Sequence, residues 1–229
     1  MRFISFLLVC ALSLGWGAAA AQTPSADIPA PVVKDGRLGP AYRPLIEALR
    51  GGGHVILFRH DRTILNGLWD FESRAPGSCD RERNLSEAGR ASARAIGDAI
   101  DRLGIPVRRV VTSTYCRAVD TGTSMFGGVH LKTDALLGAN GAGRTGEDVR
   151  RDVARIIAQE APAGGVLVLV GHSGTIKAFT TRLLDEGDAL ILTPQSDGGL
   201  DVAAHIPAAR WEEIARDLIR SEIRERASK

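Results

Sequence analysis

Apolar residues along this chain fall into short unbroken runs, and three of these runs hand over directly to polar residues capable of chemistry. His54-Val55-Ile56-Leu57-Phe58 precedes Arg59-His60, Val107 to Thr112 precedes Ser113-Thr114, and Val166-Leu167-Val168-Leu169-Val170 precedes Gly171-His172-Ser173. Short continuous apolar runs read as strands covered on both faces. Amphipathic stretches separate them. A short helix is expected around Tyr42 to Arg50, ended by Gly51-Gly52-Gly53. Ser86 offers an N-cap to a helix whose apolar positions Ala88, Ala91, Ala95, Ile96, Ala99, Ile100 and Leu103 recur at helical spacing, and Gly104-Ile105-Pro106 stops it. A helix carrying Arg117 follows the second run, with a small strand near Val129. Val149, Val153, Ile156 and Ile157 mark another helix, and Ala178 to Leu184 is expected to continue a helix after His172. Ala189 to Leu192 and Val202 to Ile206 read as strands, and Trp211 to Ile219 as a final amphipathic helix. Alternation of this kind predicts an α/β fold: a three-layer α/β/α sandwich, its sheet mostly parallel, with helices on both faces and right-handed crossovers.

The N-terminus changes the picture of what folds. One basic residue (Arg2), an apolar stretch from Ile4 to Leu14 and the small residues Ala18 to Ala21 have the layout of a secretory signal peptide. Ser13, Gly15 and Gly17 interrupt the run, which falls short of the ~20 residues that span a bilayer. The expected organisation is a signal peptide at 1–21, a Pro-, Ala- and Gly-rich leader at 22–40 and one domain at 41–229, exported to the periplasm or secreted, with no stable membrane insertion after cleavage. About 208 residues then remain, enough for a single covered sheet.

Net charge is +2, and Arg far outnumbers Lys without any long basic block, so a nucleic-acid-binding surface is not indicated. Small anionic substrates fit better, since the guanidinium fork matches phosphate oxygens. Cys79 and Cys116 remain after signal removal, an even number in an oxidising compartment. A bridge between them is the expectation, with two separate buried thiols as the alternative.

In an open α/β sheet, residues at the carboxyl ends of strands gather in one crevice. Here the three strand ends supply Arg59-His60, Arg117 and His172. Two guanidinium groups and two imidazoles in one crevice suit a phosphoryl group: Arg binds and neutralises its oxygens, and a neutral imidazole nitrogen can attack phosphorus. This chemistry requires no metal and no cofactor.

Arg59-His60-Asp61-Arg62-Thr63 followed by Asn66 resembles the R-H-G-x-T-x-x-N signature of the histidine phosphatase (phosphoglycerate mutase-like) superfamily. Asn84-Leu85-Ser86-Glu87-Ala88-Gly89 resembles its L-[ST]-x-x-G helix start, Ser113-Thr114-Tyr115-Cys116-Arg117-Ala118 its second Arg segment, and Val170-Gly171-His172-Ser173 its second His segment, in the same order along the chain. The resemblance implies His60 as a nucleophile that becomes phosphohistidine. It implies Arg59, Arg117 and His172 as phosphate ligands and transition-state stabilisers, Asn66 as a further phosphate contact, and a small phosphorylated molecule as the substrate. Asp61 departs from the common Gly. The familiar acidic motif after Asp134 is missing, so the general acid is open among Glu186, Asp61 and Glu147, in that order.

Other readings follow from the same residues. His54, His130 and His205 lie near strand edges without evident partners and read as structural, and no His spacing resembles a metal-ligand motif. Gly138 to Gly146 lacks the Lys-Ser/Thr ending of a P-loop and reads as a flexible rim. Glu186 has a plain alternative as a solvated helix-end carboxylate. The loop from Arg62 to Arg83, with Trp69 and Phe71, is expected to wall the leaving-group site. The expected activity is phosphomonoester hydrolysis, with a phosphomutase or a non-catalytic phospholigand-binding protein as the alternatives.

Overall fold

A computed structural model describes residues 38–65, 78–128, 130–138 and 144–229. Six strands form one sheet: β1 (Val55–Arg59), β2 (Val107–Thr112), β3 (Leu131–Thr133), β4 (Val166–Gly171), β5 (Ala189–Pro194) and β6 (Leu200–Ile206), in the spatial order β3-β2-β4-β1-β5-β6. The first four in that order are mutually parallel, as expected, whereas at one edge β5 pairs antiparallel with β1, and β6 antiparallel with β5.

The apolar runs are strands because both of their faces are covered. Ile56 and Phe58 of β1, with Val166, Val168 and Val170 of β4, enter one core beneath α1 (Leu38–Gly51), α2 (Glu87–Arg102), α3 (Cys116–Phe126) and α6 (Arg210–Ala227). Val55 and Leu57, with Leu167 and Leu169, enter the other beneath α4 (Gly146–Glu160) and α5 (Ser173–Lys177). Period-two alternation of side chains thus divides each continuous run between two cores. Trp211 anchors the first core, fully buried with its ring 6.1 Å from that of Phe58.

Ser86 caps α2 by accepting the Gly89 N–H at 3.0 Å, as the sequence suggests. The buried face of α2 differs from the expected one. Ala88 and Ala91 are exposed, while Gly89, Ala93, Ile96, Gly97 and Ile100 face inward. The missing side chains of two glycines set this orientation: a Cβ on Gly89 would lie 2.1 Å from the Arg62 carbonyl oxygen, and one on Gly97 2.0 Å from that of Met125. Backbone approaches backbone there, so Ala-rich periodicity alone misjudged the face.

Two further expectations are corrected. The helix after His172 ends at Lys177, and residues 178–184 are not helical. Phe179 and Leu184 turn into the α4/α5 core, and the Ala178 carbonyl is taken by Arg150 Nε at 2.5 Å. The leader expected to reach residue 40 stops earlier, because α1 begins at Leu38 and seats Gly39 against the backbone of α6. The small strand expected near Val129 is present as β3, which begins two residues later. The signal peptide and most of the leader, Asn66, Trp69, Phe71 and the centre of the Gly138–Gly146 stretch lie outside the described residues. Among the described residues, no helix is long and apolar enough to cross a membrane.

Candidate active site

The carboxyl ends of β1, β2 and β4 are stitched to one another by main-chain bonds. His60 N–H donates to the Gly171 carbonyl (3.0 Å), Ser113 N–H to Val170 (2.9 Å), and Arg59 N–H to Asp188 (3.0 Å). His60, Arg117 and His172, more than a hundred residues apart at the extremes, therefore meet at one sheet edge. The His60 and His172 ring centroids are 5.3 Å apart.

The geometry sets the tautomer of His60. Its Nδ1 lies 2.9 Å from the Asp61 carbonyl oxygen, which can only accept, so Nδ1 carries the hydrogen and Nε2 keeps a free lone pair. Burial, then the positive charge of Arg117, and after it Arg59 and Arg83, push the imidazole pKa down to about 3, so the ring is neutral at physiological pH. On His172, Arg117 Nη2 donates to Nδ1 at 3.1 Å, which leaves Nε2–H to donate to Ser113 Oγ at 2.6 Å. Burial and then the neighbouring His60 and Arg117 hold His172 well below the usual imidazole range.

Arg117 is a fully buried guanidinium lying 4.6 Å over the Tyr115 ring, whose edge meets His172 at 5.0 Å between centroids. Thr121, one turn further along α3, joins the two halves of the site. Its hydroxyl accepts the Asp61 N–H at 3.0 Å and donates to the Arg117 carbonyl at 2.7 Å.

Glu186 stands beside this cluster. Its carboxylate accepts from Thr63 N–H (3.3 Å), Thr63 Oγ1 (3.2 Å) and Arg83 Nη2 (3.4 Å), with Arg59 Nη2 at 3.6 Å and His60 Nδ1 at 4.0 Å. It is therefore not a helix-end carboxylate in solvent: its side chain is 19% exposed and held by four donor groups. Of the other two candidate acids, Asp61 is wholly buried, its Oδ1 accepting the Arg62 N–H at 2.7 Å, and Glu147 is exposed in the first turn of α4. Burial raises the Asp61 pKa, offset in part by Arg62 and Ser92. A cavity of about 710 Å³ adjoins the site through Arg59 and Glu186, with Arg62, Ser92, Asp185 and Glu212 also in its wall.

Cys79 and Cys116 are bridged, with Cα atoms 5.6 Å apart. His54 and His205 have partners, unlike the sequence expectation: His54 Nδ1 lies 3.1 Å from Thr193 Oγ1, and His205 Nε2 2.9 Å from Asp188 Oδ2. Among the described residues no cluster of His, Cys, Asp and Glu could hold a metal ion.

Sequence reasoning missed Arg83, Thr63, Ser113 and Thr121 as site residues. Arg83 precedes the Asn84-Leu85-Ser86 helix start and Ser113 ends the second apolar run, but neither position has a periodic signal. Only the folded sheet edge brings them to the histidines.

No family model and no curated protein matches the chain by sequence. Its fold is that of solved histidine phosphatases. It resembles the protein histidine phosphatase SixA, complexed with tungstate, with a TM-score of 0.52 and 12% identity over 69% of this chain and 98% of that one. It also resembles a phosphoserine phosphatase variant from Entamoeba histolytica in complex with phosphoserine, with a TM-score of 0.50 and 15% identity over 68% of this chain and 97% of that one.

Proposed function

We propose that this chain is a phosphatase that hydrolyses small phosphomonoesters through a phosphohistidine at His60. The observation that carries the reading is a buried, neutral imidazole with a free Nε2, ringed by the guanidinium groups of Arg59, Arg83 and Arg117. A nucleophile that stays unprotonated beside fixed positive charge is matched to a phosphate dianion. The fold shared with proteins complexed with tungstate and phosphoserine supports it.

In the proposed reaction, Nε2 attacks phosphorus in line as the bond to the leaving oxygen breaks. Arg59 and Arg117 neutralise the charge on the equatorial oxygens, and His172, a neutral ring, turns its Nε2–H from Ser113 to one of them. The positive charge that develops on the His60 ring is shared with Nδ1–H, whose hydrogen bond to the Asp61 carbonyl strengthens. Glu186, the one candidate carboxyl in ion-pair range of His60, donates a proton to the leaving oxygen. Water then attacks the phosphohistidine, Glu186 takes a proton from it, and the N–P bond breaks to release inorganic phosphate. Asn66 is placed with the phosphate ligands by motif alone. The guanidinium groups supply the positive charge that other phosphatases take from a metal, so no metal or cofactor is required.

The signal-like N-terminus and the disulfide support export to the periplasm or beyond. A phosphomutase needs a second acceptor hydroxyl held in the site, and nothing in the described residues favours that over water. The test is chemical trapping: rapid acid-free quenching with substrate, followed by intact-mass analysis, should show one added phosphoryl group, stable to base and labile to acid. A protein that only binds phospholigands never gains that mass.

A further inference from the structure

Arg83 and Arg117 lie on segments distant in sequence and with no strand pairing between them. Arg117 is the second residue of α3. Arg83 follows a 3-10 turn, Cys79–Arg81, in an otherwise irregular stretch leading to α2. The disulfide joins the first residue of that turn to the first residue of α3. Around it, the fully buried Glu82 carboxylate accepts the Cys116 N–H at 2.7 Å, at a helix start where such N–H groups have no partner within the helix. The Asn84 side chain donates to the Cys79 carbonyl at 2.5 Å.

From this anchored stretch Arg83 reaches Glu186, while Arg117 reaches His172. Among the described residues the buried Nε–H groups of Arg83 and Arg59 have no acceptor, which leaves donors for an anion.

Resting on the phosphatase reading above, we propose that the Cys79–Cys116 bridge is a positioning element of the active site. It holds Arg83 as a further phosphate-site cation, opposite Arg117, so that the site reaches full affinity for phosphate only with the bridge closed. A bridge that served stability alone would leave the site intact in any molecule that remained folded.

The experiment compares wild type, Cys79→Ala/Cys116→Ala and Arg83→Met, each checked for folding by circular dichroism and thermal melting, by titration with inorganic phosphate and by kcat and KM on an aryl phosphate. The wild type is also measured after reduction by a phosphine, which breaks the S–S bond to leave two thiols as the phosphine takes oxygen from water and becomes its oxide. Reduced wild type and the double variant, while still folded, should bind phosphate at least tenfold more weakly, with the loss appearing mainly in KM. Arg83→Met, with the bridge intact, should reproduce most of that loss without lowering the melting temperature. Wild-type phosphate affinity in the folded, reduced protein would overturn the proposal, as would wild-type affinity in Arg83→Met should the bridge variants fail to fold. If wild type itself binds no phosphate and turns over no ester, the phosphatase reading falls and this inference with it.

Discussion

The Nδ1–H of His60 donates to the carbonyl oxygen of the next residue, Asp61, across 2.9 Å, and Thr121 fixes that peptide in turn by accepting the Asp61 N–H at 3.0 Å. The tautomer of His60, the proposed nucleophile, is thus set by main-chain geometry, in contrast to sites where a carboxylate orients the histidine. The side chain of Asp61 points elsewhere, into a buried position against Gly187, and takes no direct part in orienting the ring. Activity should consequently depend on Thr121. Thr121→Val keeps the volume but removes the acceptor for Asp61 N–H and the donor to the Arg117 carbonyl, leaving buried groups unpaired at a cost of about 1–3 kcal/mol. The loss should appear in kcat more than in global folding, and steady-state kinetics with a parallel urea titration will separate the two.

His60 also defines a pH dependence. Its folded pKa of about 3 lies below the ordinary value of 6.5, so between those limits the unfolded chain binds a proton that the native protein does not. Stability is therefore complete above pH 6.5 and declines as pH falls toward 3, by up to about 1.4 kcal/mol per pH unit for this one group. His172 is shifted in the same direction and steepens the decline. Asp61, shifted upward, acts oppositely: it favours the native state below the ordinary carboxylate pKa and loses that contribution as pH rises through its folded value. Urea midpoints from pH 4 to 8 should rise with pH, with a shallower slope in His60→Gln. After correction for ionisation of the substrate phosphate, kcat/KM should show no acid limb near pH 6.5. A limb there would mean that His60 titrates like a solvent-exposed imidazole.

Glu186→Gln tests the acid. An amide cannot donate a proton to the leaving oxygen, so kcat for an alkyl phosphate should fall by about 10²–10⁴. An aryl phosphate whose leaving group departs unprotonated should lose far less. Equal losses on both substrates would remove Glu186 from the acid role and leave it as an anchor for Arg59 and Arg83.

The three strand ends were legible because each is a continuous apolar run followed by Arg or His, a pattern carried within a few residues. The cap at Ser86 was legible for the same reason. The antiparallel edge was not: the short runs that form β5 and β6 have no local mark of direction, which is set by the return through Glu186–Asp188 beside β1. Ala178–Leu184 looked helical because Phe179 and Leu184 are apolar, yet their side chains are needed in the α4/α5 core and the chain gives up helix to place them there. Arg83 meets Glu186, and Thr121 the Asp61 N–H, only through the folded packing of α3 and the stretch before α2 against the sheet edge, information spread over too many residues to appear as a motif.

Gly97 offers a test of packing away from the chemistry. An added methyl would meet the Met125 carbonyl oxygen at 2.0 Å, and backbone cannot move aside as a side chain can. Gly97→Ala should force α2 from α3 and destabilise by about 3 kcal/mol, the upper part of the usual overpacking range. Calorimetry should show a melting temperature lower by roughly 6–12 °C, while KM measured well below the transition stays near wild type.

The most direct test of the central claim is hydrolysis of an aryl phosphate by wild type and His60→Ala, with EDTA present throughout. The account predicts turnover by the wild type that EDTA leaves unchanged and that His60→Ala abolishes while still binding inorganic phosphate. Turnover that survives in His60→Ala, or that EDTA removes from the wild type, would contradict it.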